Sequence, residues 1–153
     1  MLKYANYNIV FQEVCDEVTL AINISNCPNR CKGCHSPYLW EDTGEALNEA
    51  SLSVLLATYS NAITCLCFMG GDVEPNEVER LAVFARELTN NKIKTAWYLG
   101  RQDFPSSCTL QHFDYIKLGA YIEELGGLES PTTNQRFYKV IDGKMIDITS
   151  RFI

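Results

Sequence analysis

The chain has 153 residues, the length of one domain, and leaves no room for a second catalytic one. Its apolar share of 46% is that of a globular chain with a core, and thirteen Lys and Arg against nineteen Asp and Glu give a net charge of −6. That balance argues against a nucleic-acid partner, because phosphate binding relies on clustered cations. No apolar run approaches the roughly 20 residues that span a bilayer. The first residues lack the charged-then-apolar pattern of a secretory signal. A cytoplasmic protein without a membrane partner is therefore expected. Seven cysteines are an odd number, and in a reducing compartment clustered Cys point to metal binding or catalysis rather than to cross-links.

Along the chain, Val18 to Ile24 alternates apolar and β-branched residues with a period of two and predicts a strand. Ser25 to Pro37 is rich in Cys, Pro, Gly and Asn and predicts an irregular loop. Leu52, Leu55, Leu56 and Tyr59 recur at the spacing of an amphipathic helix. Ile63 to Met69 is a short apolar run stopped by Gly70-Gly71, as in a strand buried on both faces. A second helix opens at Pro75 and Asn76, with Val78, Leu81, Ala82, Ala85 and Leu88 along one side. Lys94 to Leu99, closed by Gly100, and Asp114 to Leu118, closed by Gly119, predict two more strands. Strands alternating with helices imply parallel pairing. Arg136 to Ile141 and Lys144 to Thr149 flank Asp142-Gly143 and predict a terminal β-hairpin.

Cys27, Cys31 and Cys34 stand as C-x3-C-x2-C within Cys27-Pro28-Asn29-Arg30-Cys31-Lys32-Gly33-Cys34. Seven cysteines distributed at random would produce this spacing on the order of 0.01 times in such a chain. Gaps of two and three residues let one turning loop aim three sulfurs at a common point, and Pro28 and Gly33 favour the turn. Arg30 and Lys32 add positive charge that favours thiolates. Three thiolates leave one iron of a 4Fe-4S cluster open to an outside ligand. The alternative is a closed zinc site with His35 or His112 as the fourth ligand, in a protein that binds metal or a cluster without catalysis. Cys65 and Cys67, two apart on a strand, face one side and read as core, while Cys15 and Cys108 carry no evident role. Gly70 and Gly71 suit a close approach of backbone at a strand end. Arg101 and Asp103 follow another strand end, where exposed charges are ordinary.

The three-cysteine loop immediately after an early strand resembles the signature of the radical S-adenosylmethionine superfamily. Gly70-Gly71-Asp72 stands where that superfamily carries its Gly-Gly-Glu-like motif. Asp114-Tyr115-Ile116-Lys117-Leu118-Gly119-Ala120-Tyr121-Ile122 and Thr133-Asn134-Gln135-Arg136 are similar to the anaerobic ribonucleoside-triphosphate reductase activating proteins. The likeness runs from about Val18 to Arg136. The chain departs from the usual pattern in placing Val73 and Glu74 before Pro75, in Leu99-Gly100, and in Gly119-Ala120-Tyr121.

The resemblance implies one radical S-adenosylmethionine domain over residues 1–153, an incomplete open (β/α) barrel with a C-terminal β-hairpin and the cofactor at the carboxyl ends of the strands. It implies a 4Fe-4S cluster on Cys27, Cys31 and Cys34. S-adenosylmethionine would chelate the open iron and be approached by Gly33, Cys34, His35, Gly70, Gly71 and Asp72. Reductive cleavage would yield methionine and a 5'-deoxyadenosyl radical that takes a hydrogen from a glycine of an anaerobic (class III) ribonucleoside-triphosphate reductase. A flavodoxin- or ferredoxin-like protein would supply the electron. The chemistry belongs to cluster and cofactor, so no side chain is assigned as catalytic. Activation of another glycyl-radical enzyme, or radical chemistry on a small molecule, is the alternative within the superfamily.

Overall fold

The computed structural model describes residues 1–27, 29 and 37–152. The elements are β1 (Lys3–Val10), β2 (Thr19–Ile24), β3 (Glu45–Ala46), α1 (Glu49–Tyr59), β4 (Cys65–Met69), α2 (Pro75–Leu88), β5 (Lys94–Tyr98), β6 (Tyr115–Leu118), β7 (Arg136–Ile141) and β8 (Lys144–Asp147). Among the described residues the strands form one sheet in the order β3-β1-β2-β4-β5-β6-β7-β8. The central four, β2, β4, β5 and β6, run parallel. The flanking pairs are all antiparallel.

This sheet overturns the expected incomplete (β/α) barrel. A (β/α) barrel is assembled from parallel strands, each returned by a helix. Here only four strands run parallel, and only α1 and α2 are α-helices among the described residues. Antiparallel strands extend the sheet on both sides and leave a mixed, open and largely β architecture. The segment between β5 and β6 shows why the helical covering stops. Gly100 to Phe113 has no apolar stripe, carries Pro105, and forms a single 3-10 turn at Leu110–His112. Phe104 and Phe113 from this segment pack on Trp97, with ring centroids 6.1 and 5.2 Å away. Such aromatic pairs add about 0.5–1.5 kcal/mol beyond area burial.

The period of two divides the sheet into two faces. Leu20, Ile22, Ile24, Leu66, Phe68, Trp97, Leu99, Ile116 and Leu118 form one core with the buried faces of both helices. Leu52, Leu55 and Leu56 come from α1, and Val78, Leu81, Ala82 and Ala85 from α2. Leu88, expected on that stripe, is exposed at the last residue of α2. The opposite face carries Cys65, Cys67, Ala96, Tyr115 and Phe137, with Val14 and Leu128 packed over them. β4 is thus covered on both faces, as its unbroken apolar run implies.

Asn48 caps α1 reciprocally: its Oδ1 accepts from the Ser51 N–H at 3.0 Å, and its own N–H donates to Ser51 Oγ at 3.0 Å. Pro75 sits in the first turn of α2, where its missing N–H costs nothing. Asp142 and Gly143, with φ of +52° and +74°, turn the terminal hairpin as a two-residue primed turn requires. Among the described residues no helix is long and apolar enough to cross a membrane.

Candidate iron–sulfur site

Because β2, β4, β5 and β6 are parallel, their carboxyl ends fall along one edge. Cys27 and Asn29 follow β2, Gly70-Gly71-Asp72 follow β4, Gly100 follows β5, and Gly119 follows β6. Open α/β sheets bind ligands at such an edge. Cys31, Cys34, Gly33 and His35 lie outside the described residues. Cys27 is half-buried with a free thiol, and its N–H donates to the Leu39 carbonyl at 2.8 Å. The Asn29 Nδ2 lies 3.7 Å from Cys27 Sγ, a sulfur hydrogen bond. Among the described residues no three His, Cys, Asp or Glu gather as a metal site.

Gly70 and Gly71 have φ of +108° and +88°, the left-handed region that favours glycine. Their lack of a Cβ serves packing as well: a Cβ on Gly70 would lie 3.2 Å from the Ile24 carbonyl oxygen, and one on Gly71 2.5 Å from Val78 Cγ2. β5 clamps this turn from the side. The Gly70 N–H donates to the Tyr98 carbonyl at 3.0 Å, and the Trp97 indole donates to the Gly70 carbonyl at 2.7 Å.

Asp72 is buried, and its Oδ2 accepts the Gly100 N–H at 2.9 Å. Burial pushes its carboxyl above the ordinary value, and bonds from the Asn29 side chain and Gly100 offset only part of that push. Asp72, which the resemblance sets beside S-adenosylmethionine, is thus already hydrogen-bonded to the end of β5. Lys117 is also buried at this edge. Its Nζ donates to the Leu99 and Gly119 carbonyls at 3.1 and 2.8 Å and sits 5.6 Å over the Tyr98 ring. Asn29, Gly100 and Lys117 escaped the sequence reading as site residues. A lone cation in the apolar strand Tyr115-Ile116-Lys117-Leu118 was the one available signal.

Asn134 and Gln135 brace the neighbouring turn, donating to the Ala120 and Gly119 carbonyls at 3.0 and 3.4 Å. Arg136 begins β7 and faces Asp147 at 3.7 Å. His112 precedes β6 at the opposite edge, its Nδ1 3.2 Å from Glu79 Oε2, so the fold does not bring it to Cys27. Cys65 and Cys67 are core, and burial pushes both thiols well above the ordinary value.

On the face away from the helices a cleft of about 750 Å³ opens beside this edge. Met69, Tyr98 and Lys117, each one or two residues before its turn, line it together with Phe11, Leu128 and Phe152, while the turns themselves do not. The size suits a small-molecule ligand.

The Cys27 thiol with the Asn29 amide beside it suits a ligand of an iron–sulfur cluster. Thiolates are the usual protein ligands of such clusters, and amide donors to the sulfurs tune them. No curated protein and no solved structure matches the chain. A family model does: the 4Fe-4S single cluster domain matches residues 17–111, from the start of β2 to the turn before β6. With more than half its length matched and Cys27 free at the edge of the sheet, the chain belongs to the 4Fe-4S single cluster domain family and is an iron–sulfur protein.

Proposed function

We propose that this protein activates an anaerobic ribonucleoside-triphosphate reductase by radical S-adenosylmethionine chemistry. The observation that carries the reading is the common edge: the loop that begins at Cys27 leaves β2 next to the Gly70-Gly71-Asp72 turn, and the cleft opens from the residues before the same turns. Cluster and S-adenosylmethionine supply, when bound, a one-electron cleavage to methionine and a 5'-deoxyadenosyl radical, which removes a hydrogen atom from a glycine of the reductase.

The chain's own residues hold and orient. Cys27, Cys31 and Cys34 are the thiolate ligands. Gly33, Cys34, His35, Gly70, Gly71 and Asp72 surround the cofactor, with the Gly70 carbonyl held in place by Trp97. Lys117 keeps the Leu99 and Gly119 carbonyls turned inward. The electron comes from a flavodoxin- or ferredoxin-like protein. The acidic chain has no call for nucleic acid.

Anaerobic reconstitution with iron and sulfide tests the reading, followed by chemical reduction with S-adenosylmethionine and a class III reductase. Release of 5'-deoxyadenosine together with a glycyl radical signal on the reductase is the expected result. Iron uptake without cleavage leaves a non-catalytic cluster protein. Cleavage without that glycyl radical moves the substrate to another glycyl-radical enzyme or to a small molecule.

A further inference from the structure

We propose that Asp72 is a positioning residue that ties the cysteine loop to the end of β5 through Asn29 and the Gly100 backbone. The inference rests on the cluster being held by that loop.

Three independent features converge on the tie. One oxygen of the buried Asp72 carboxylate accepts the Gly100 N–H at 2.9 Å, and the Asn29 side chain lies near enough to that carboxylate to favour its charged form. The same Asn29 Nδ2 lies 3.7 Å from Cys27 Sγ. An amide NH2 has two hydrogens, so it can donate to a carboxylate on one side and a sulfur on the other. Finally, a Cβ on Gly100 would fall 2.3 Å from Asn29 Nδ2 and 2.7 Å from Asn29 Cγ. Gly100 is not in the left-handed region, so what its missing side chain supplies is room for Asn29.

The result is a chain of contacts from the β5 end, through Asp72, to the side chain beside a ligand sulfur. A carboxylate suits the middle position because it accepts from both donors. An asparagine there keeps an acceptor for one of them and turns an NH2 toward the other. Outer partners of this kind orient metal ligands, and their removal typically weakens metal retention by about 10–100-fold.

The test is a double-mutant cycle on the reconstituted full chain, reading the rate at which iron passes to a ferrous chelator under anaerobic conditions. Asp72→Asn and Asn29→Ala each release iron about tenfold faster than wild type, and the double variant is no faster than the faster single one, because both break one tie. Gly100→Ala, which expels Asn29 while leaving the carboxylate in place, gives the same acceleration. Wild-type retention in Asn29→Ala, or rates that multiply in the double variant, overturns the proposal. Asn29 is partly exposed in a loop, so its truncation does not threaten folding. Neither readout involves S-adenosylmethionine, so a wild-type protein that holds iron but does not cleave the cofactor overturns the proposed function alone.

Discussion

The Tyr115 hydroxyl donates to Glu17 Oε2 at 2.7 Å across 98 residues of chain. Lys94 Nζ reaches the same oxygen at 2.8 Å, and Thr64 Oγ1 donates to the other at 2.7 Å. One buried carboxylate thereby fastens the amino ends of the parallel strands, at the edge opposite the candidate site. Burial alone would raise the Glu17 pKa. The hydrogen bonds from Lys94, Thr64 and Tyr115 outweigh it and hold the carboxyl below its ordinary value.

That depression fixes the sign of a pH dependence. A carboxyl with a lowered folded pKa contributes stability that is complete above its unfolded pKa and is lost as pH falls through the folded one. Glu17→Gln should cost about 1–3 kcal/mol near neutrality, since three donors lose a charged acceptor. The gap between wild type and variant should shrink once pH drops below the ordinary glutamate value of 4.5. Urea unfolding of both proteins over a pH series measures it. A gap that stays constant into strong acid contradicts the assignment.

Trp97→Phe removes the indole donor to the Gly70 carbonyl while keeping an aromatic ring against Phe104 and Phe113. A lost hydrogen bond and a smaller buried ring together should destabilise by about 2 kcal/mol. The effect should not stop at stability. If the proposed function holds, affinity for S-adenosylmethionine should fall as well, measured by calorimetry on the reconstituted protein. Unchanged affinity alongside the lost stability would confine Trp97 to the core.

Gly71→Ala forces a Cβ into left-handed backbone and into Val78 Cγ2, 2.5 Å away. The conformational part costs about 1–2 kcal/mol, and the overlap adds about as much. Only the overlap depends on Val78. Val78→Ala should therefore cost less in the Gly71→Ala background than in wild type, with a coupling of about 1 kcal/mol in chemical denaturation. Strict additivity would mean that the helix shifts away without strain.

The seven cysteines should separate by chemistry. On the proposed ligand set, Cys27→Ser, Cys31→Ser or Cys34→Ser should each abolish the reconstituted cluster, whereas Cys65→Ala and Cys67→Ala should retain full iron and sulfide content. In the metal-free protein Cys65 and Cys67 react with iodoacetamide about tenfold or more slowly than Cys27, because burial keeps their thiols protonated. Mass spectrometry of alkylated peptides reads this site by site.

The parallel core was legible in the sequence because its strands alternate or run apolar and stop at glycine. The expected Ile63 to Met69 and Asp114 to Leu118 became β4 (Cys65–Met69) and β6 (Tyr115–Leu118), with the same residues buried. β1 was not read. Lys3–Val10 is largely exposed, so its polar and apolar residues obey no burial pattern. β3 pairs over only two residues and has no sequence signature. The barrel, implied by the resemblance, failed at the sheet's margins: β1 and β3 on one side and β7 and β8 on the other pair antiparallel, which no parallel (β/α) repeat provides. At the site, spacing drew attention to Cys27 and the glycine pair. Asn29 and Gly100 matter through a contact between segments 71 residues apart, which no local pattern encodes.

The clamp on Gly70 has a further consequence for recognition. Both backbone polar groups of Gly70 are engaged by β5, its N–H with the Tyr98 carbonyl and its carbonyl with the Trp97 indole. The turn is frozen when the sheet forms, so a ligand arriving at this edge meets a surface whose conformational entropy was surrendered during folding. Affinity there should owe little to induced ordering of the β4 turn, and slow association, where it occurs, should originate elsewhere in the site.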